Sequence, residues 1–425
     1  MIRFLLKGIL RDRSRSLLPF LTICFGVMLT VVLYSWMKGA EANIAESSAR
    51  FDYGHLKIMT RAYAEEAELI PNELALVGVS ELMAKLAKDF PQIEWTPRIK
   101  FGGLLDLPDE KGETLVQAPI SGLAVNLLNP PTPEKDILNL ENALARGRLP
   151  QEAGEALLSE ELAQRLGIKP GSVATIISQT MTGSLALANL RFVGTIRFGI
   201  QVLDAQAILI DLADAQRILD MVDASGEILG FFKDGIFRQK VAEAIVNQFN
   251  ASFSQSSDRF SPIMKSLLDQ GGLADLLAMV QSVYSIIIFV FVLAMSVVLW
   301  NAGLMGNIRR FGEIGVRLAM GEDKGHLYRS LISESLIIGC LGSIVGTLGG
   351  LGIAYYLQVK GVNVASIMES SSIFISEVMR ARITWFSAVV GFIPGLGATL
   401  IGSTLSALGV YRRQTSGLMK ELEAY

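Results

Sequence analysis

Residues 17–37 read LLPFLTICFGVMLTVVLYSWM, 21 consecutive positions without a charged side chain. No other feature restricts the fold as severely. A helix rises about 1.5 Å per residue, so the run covers about 30 Å, one hydrocarbon core. Lipid cannot hydrogen-bond a backbone, so such a run has to satisfy its own amide groups as a helix. Comparable stretches occupy 276–306, 331–357 and 385–410. Composition agrees: 51% of the 425 residues are hydrophobic and 19% are charged, where a soluble chain carries roughly a quarter charged. The sequence predicts a polytopic α-helical membrane protein with four transmembrane helices, one followed much later by three. A secretory signal peptide is the other reading of 17–37. It fits less well, because the apolar part is longer than about 7–15 residues and no small-x-small cleavage site follows.

Orientation follows from Lys and Arg. The tail 1–16 carries Arg3, Lys7, Arg11, Arg13 and Arg15; the segment 307–330 carries Arg309, Arg310, Arg317, Lys324 and Arg329; the tail 411–425 carries Arg412, Arg413 and Lys420. Four spans put these three basic segments on one side. Both termini and 307–330 are therefore expected in the cytoplasm, and 38–272 and the loop 358–384 outside.

The expected extracytoplasmic domain, 38–272, holds 22 Lys and Arg against 31 Asp and Glu, a net of −9. It reads as mixed α/β. The segment 41–51 has helical spacing and extends the first span. A helix is expected at 160–166, ended by Gly167; strands at 173–178, 190–196 and 205–210, rich in β-branched residues; and a helix at 212–221. Ser261 and Pro262 form an N-cap and first-turn pair that predicts a helix over 261–270.

Several chemistries are excluded or left unsupported. None of the forty glycines is followed by Lys, so the chain lacks a P-loop of its own. There is no G-x-S-x-G elbow. The two histidines, His55 and His326, are expected on opposite sides of the membrane. No catalytic residue, metal site or nucleic-acid signature is assigned. Cys24 and Cys340 lie inside apolar runs and build no disulfide framework. Glu65, Glu66 and Glu68 would suit a cation site or paired-acid chemistry, but a solvated acidic face is the simpler account.

Within the spans, Gly342, Gly346 and Gly350 line one helix face, and Gly391 and Gly395 flank Pro394. Such stripes permit close helix packing, inside one subunit or against a second, and Pro394 should bend its helix. Glu334, near the cytoplasmic mouth of the third span, faces water or pairs with Arg329 or Arg317.

The stretch 307–326, NIRRFGEIGVRLAMGEDKGH, holds more than topology requires. Ile314, Val316, Leu318 and Met320 add apolar surface, and Gly312, Gly315 and Gly321 add turns. That combination suits docking into a groove on a cytoplasmic partner. With Glu334 and the glycine-rich third span, it resembles the FtsX-like/MacB-like permeases of ABC transporters. Their signature runs R-x-x-E-I-G-[ILV]-x-[KR]-A-x-G. Arg310, Glu313, Ile314, Gly315, Ala319 and Gly321 fall in place; a single residue separates Gly315 from Arg317, and Leu318 stands where the family is often basic. ARGRLP at 145–150, the stretch 157–176 and RFVGTIRFG at 191–199 resemble the family's outer-domain motifs, while the C-terminal tail lacks its Pro-x-x-Ala-Leu ending.

The resemblance implies a bacterial inner-membrane permease subunit. It would pair with a second permease, the same or paralogous, and with a cytoplasmic ABC ATPase dimer that binds ATP and Mg, leaving no cofactor in this chain. Residues 307–330 would be the coupling segment. The outer domain would contain an inserted lobe at about 131–224 and would work outside the membrane, with a periplasmic carrier or adaptor as a further partner. GHLKI at 54–58 resembles lipoprotein-releasing (LolC/LolE-type) permeases. The alternatives are efflux of amphiphiles or peptides, a cell-division permease, and transmembrane signalling without transport.

Overall fold

In the computed structural model the described residues are 13–108, 113–130, 133–254, 258–308, 316–363 and 378–412. They form two compact units. One comprises Met1–Ala42, Ala278–Asn363 and Met379–Tyr425; the other comprises Asn43–Leu277 and Val364–Val378. Among the described residues, four helices are long and apolar enough to cross a membrane: Leu17–Tyr53, Leu273–Val298, Lys324–Lys360 and Trp385–Leu405. The α/β domain lies between the first and second in sequence, which is the expected 1 + 3 arrangement.

Helix α1 spans Arg13–Ser48 and continues as a π-helical turn, Ala49–Tyr53. Its 36 residues measure about 54 Å, longer than a hydrocarbon core. Beyond it come β1 (Leu56–Thr60), β2 (Leu76–Val77), α2 (Val79–Asp89), β3 (Ile93–Pro108) and β4 (Thr114–Val125). Then follow β5 (Leu144–Gly147), β6 (Glu155–Ser159), α3 (Glu160–Leu166), β7 (Val173–Gln179), β8 (Leu185–Ile196), β9 (Ala207–Asp211) and α4 (Leu212–Ile218). The domain ends with β10 (Ala224–Ser225), β11 (Glu227–Phe232), α5 (Gln239–Ser252) and β12 (Pro262–Ser266).

Strand β3 organises the domain. Its first part, Ile93–Arg98, pairs with β11 in a sheet ordered β12-β1-β11-β3. From Ile99 onwards it pairs with β4, and Leu104–Asp106 also pair with β7. The ladders β4–β9, β9–β6, β6–β8 and β8–β7 then return to β3. These six strands close a barrel, which leaves few free edges. Its interior is filled by Ile99, Phe101, Leu105, Ile120, Ile176 and Phe192. The flanking sheet has its own core. There Val79, Leu82, Met83 and Leu86 of α2 and Ala242, Ile245 and Phe249 of α5, each set at helical spacing, pack on Leu56, Ile58 and Ile228.

One expectation needs correction. The helix expected at 261–270 is β12, paired antiparallel to β1 from Leu56↔Ser266 to Thr60↔Pro262, followed by a 3-10 turn, Leu267–Asp269. Pro262 opens an edge strand, where its missing N–H is tolerated, and the Asn250 amide brackets Met264 with two 2.9 Å bonds. The possible inserted lobe at 131–224 overlaps the barrel, to which β4 and the second part of β3 also belong. The span expected at 385–410 is present as Trp385–Leu405 and is irregular around Pro394, with a 3-10 turn (Trp385–Ala388), a π-helical segment (Ile393–Ala398) and a terminal helix, Thr399–Arg412. Pro394 cannot donate to its preceding turn, where the Ile393 N–H reaches Val390 O at 3.3 Å, and the Thr399 hydroxyl adds a bond to Gly395 O at 2.7 Å.

In the membrane unit, α6 (Leu273–Ile308) exposes Met279, Ile286, Phe289 and Leu293, which hydrocarbon tolerates and water does not. Helices α7 (Lys324–Lys360) and α8 (Thr399–Arg412) complete it.

His55 is buried in the α/β domain against Phe231, Phe232 and Phe237. Its Nδ1 accepts the Phe232 N–H at 3.0 Å. Burial holds the imidazole at about 4, below its ordinary value of about 6.5. The folded state therefore binds fewer protons than the unfolded chain between these values. Thermal unfolding in detergent should show no His55 contribution above about pH 6.5 and a loss of up to about 3 kcal/mol as pH falls towards 4. His55→Gln should flatten that part of the profile.

Candidate functional site

The described part of the basic cytoplasmic-type stretch begins with a helical turn at 316–319. It ends in a Schellman arrangement: the Glu322 N–H donates to Arg317 O at 3.1 Å and the Gly321 N–H to Leu318 O at 3.1 Å. Gly321 has φ +91°, a conformation glycine adopts at little cost. Two residues later Asp323 caps α7, its Oδ2 accepting the Gly325 and His326 N–H groups at 2.9 and 3.1 Å. One helical piece thus stops and a span starts within four residues. Val316 and Met320 are exposed apolar side chains beside this reversal. Arg317 and Ala319 lie in the turn. Arg310, Glu313, Ile314 and Gly315 lie outside the described residues.

Glu334 is half-buried and Arg329 exposed on α7. Five residues apart on one helix, they stand about 140° from each other around its axis.

The glycines of α7 face α1. A Cβ on Gly342 would lie 2.7 Å from Ile23 Cγ2, one on Gly346 2.5 Å from Cys24 O, and one on Gly350 2.8 Å from Val31 Cβ. Ile23, Val27 and Val31 recur every four residues and fill the row that the glycines leave open. Gly391 abuts Val27, and Gly395 abuts Val27 and Ser343, while Pro394 is buried in the π-helical segment. Both glycine rows are therefore occupied within the subunit. Sequence reasoning missed Gly39, whose Cα passes against Arg380 O, and the buried bond from the Ser35 hydroxyl to Ser387 Oγ at 3.1 Å. Isolated small residues carry no periodic signal.

A second constellation, also missed, lies where the chain leaves α1 in the α/β domain. Arg98 and Glu134 are both 0% exposed. Arg98 Nε–H donates to Glu134 Oε1 at 2.7 Å and Nη2–H to Oε2 at 2.8 Å, a bidentate pair. Arg98 Nη1–H donates to Arg50 O at 2.9 Å and Phe51 O at 3.3 Å. The guanidinium thereby satisfies carbonyls that the helical end leaves open. The Thr96 hydroxyl donates to Glu134 Oε1 at 2.8 Å. Beside it runs a chain of charges. Lys57 Nζ lies 2.6 Å from Glu227 Oε2, and Lys100 Nζ lies 3.1 Å from Glu227 Oε1 and also meets Asp52. Burial pulls Lys57 below its ordinary range despite Glu227. Burial also opposes charge on Glu227 and Lys100, but the Lys100 and Lys57 ammoniums hold Glu227 down, and Glu227 and Asp52 hold Lys100 up. Lys57 sits in a strand buried at every position, so no alternation marks it. Among the described residues no three His, Cys, Asp or Glu side chains gather where they could hold a metal ion.

Comparison with known proteins bears on the membrane unit. Residues 285–415 match the family model described as FtsX-like permease C-terminal. The macrolide export ATP-binding/permease protein MacB of Hyphomonas neptunium is 31% identical over 107 residues, 25% of this chain and 14% of that protein. The chain thus matches only a small part of that relative's length. Both findings are similarities to FtsX-like and MacB-like proteins over part of the chain. The crystal structure of the periplasmic region of MacB from Actinobacillus actinomycetemcomitans is 15% identical, with 51% of this chain and 90% of that one covered at a TM-score of 0.34.

Arg98→Ala should cost about 3–5 kcal/mol, because Glu134 is left buried without its cation. Arg98→Met with Glu134→Leu should cost less than the single change, a difference that a double-mutant cycle on thermal melts would read. Gly346→Val should lower stability in detergent by about 1–3 kcal/mol by forcing α1 and α7 apart, read from thermal melts against wild type.

Proposed function

We propose that this chain is the permease subunit of an ABC transporter, paired with a second permease and driven by separate cytoplasmic ATPase subunits. The observation that carries the reading is the abrupt reversal at 316–324, with exposed Val316 and Met320, inside the region that matches FtsX-like permeases. A short helical piece between two spans, apolar on its surface and basic in sequence, suits a groove on a cytoplasmic partner. The absence of a Gly-Lys pair from the sequence supports the reading in which that partner binds ATP and Mg. Both termini and 307–330 are cytoplasmic in this reading, and the acidic α/β domain lies outside the bacterial inner membrane.

The mechanism is mechanical. ATP binding moves the partner, the partner moves 307–330, and the helices tilt. Helix α1 leads directly into the turn whose carbonyls Arg98 holds, so its displacement is delivered to a sheet rather than to a loose linker. Release of lipid-anchored proteins is the leading task, on the strength of GHLKI at 54–58. Efflux of amphiphiles with a periplasmic adaptor is the second reading, favoured by the macrolide-exporting relative.

Glu313→Ala and Gly315→Val should leave ATP hydrolysis by the purified complex nearly intact while substrate release falls roughly 5–150-fold, the range of ordinary coupling energies. Undiminished release in both variants, measured in proteoliposomes, would remove 307–330 from the drive path. Recovery of a kinase instead of an ATPase on mild-detergent purification would move the protein to signalling.

A further inference from the structure

The α/β domain contains a cavity of about 610 Å³, within the size range of ligand sites. Lys57, Lys100, Glu227 and Gln270 line it together with Tyr53, Met59, Tyr63 and Ile70. Glu65, Glu66 and Glu68, the acids whose sequence pattern suggested only a solvated face, also line it, as does Lys265.

Two deeply buried groups there keep unused hydrogen-bonding capacity. Lys57 is 4% exposed. An ammonium has three hydrogens; one meets Glu227 Oε2, and the Tyr53 ring lies 5.1 Å away. Gln270 is 6% exposed; its Nε2 donates to Ser266 O at 2.9 Å and Tyr53 O at 3.4 Å, while its Oε1 has no donor among the described residues. A spare donor and a spare acceptor thus line one cavity, and buried polar groups are ordinarily satisfied. An amide group, with one C=O and one N–H, complements both.

Charge sets the rest of the ligand. In the depth, two lysines balance Asp52 and Glu227. Exposed Glu65, Glu66 and Glu68 outnumber half-buried Lys265 in the lining, and only Glu65 of these acids has a described ion-pair partner, Arg259 at 3.7 Å. That surplus favours a cation over an anion, and the tyrosine and methionine walls suit the apolar stem of a basic side chain.

We infer that this cavity binds a short basic segment of polypeptide, its backbone amide between Lys57 and Gln270 and its cationic side chain among Glu66 and Glu68. The site is independent of the transport reading, since binding needs neither ATPase nor nucleotide.

The test uses the full chain in nanodiscs of neutral phosphatidylcholine, with empty discs as control. Fluorescein-labelled acetyl-Leu-Lys-Leu-Lys-amide is followed by anisotropy beside its acidic twin, acetyl-Leu-Glu-Leu-Glu-amide. Saturable binding of the basic peptide, at least about tenfold tighter than the acidic one, is expected. Glu66→Gln with Glu68→Gln, both on exposed positions, should erase most of that preference, and Ala64→Trp, which fills the cavity wall, should abolish binding with the melting temperature unchanged. Equal binding of the two peptides, or binding that survives Ala64→Trp, would overturn the site. Competition by hexylamine as effective as that of unlabelled peptide would overturn the amide assignment, because a bare organic cation would then suffice.

Discussion

Hydrocarbon supplies neither donors nor acceptors, and most of the membrane unit follows from that deficit. Each span must close its own backbone bonds. Where Pro394 prevents this, the backbone shifts to π-helical geometry and Thr399 supplies a side-chain donor. The hydrophobic effect gives little drive for helices to associate in such a medium, so close packing must do it. That is the role of the glycine row on α7, which lets Ile23, Val27 and Val31 approach its backbone.

The spans were legible because a charge-free run of about 20 residues has one physical outcome. Helix α3 and strands β7 and β8 were legible for local reasons: Ser159 and Gly167 cap the helix, and β-branched residues mark the strands. The segment 261–270 misled because Ser-Pro opens both helices and edge strands, and only the free edge of β1 decides between them. A boundary between the two sheets is hidden in the sequence for a related reason. The division falls inside β3, between Arg98 and Ile99, and no turn or proline-rich loop announces a change of partner within one strand. Of the coupling residues, Arg317, Ala319 and Gly321 have a described geometry, and the signature glutamate does not.

Charge was least legible of all. Arg98, Lys57 and Glu227 are nearly or fully buried, against the habit of their residue types. Each is affordable only because strands far apart in sequence bring its counter-charge to it, and a linear pattern cannot encode that meeting. The buried ions add more to definition than to net stability, since removing two ions from water costs much of what their attraction returns. They fix where the end of α1 rests against the sheet, a place where apolar side chains alone would permit sliding.

The handover within β3 has a consequence for motion. One continuous backbone of 16 residues serves the flanking sheet and then the barrel, with ladders along both portions. A rotation applied at the β1–β11 side cannot be absorbed between the lobes without breaking strand pairing. The α/β domain should therefore turn as a stiff oar does, its two lobes keeping their mutual angle under load.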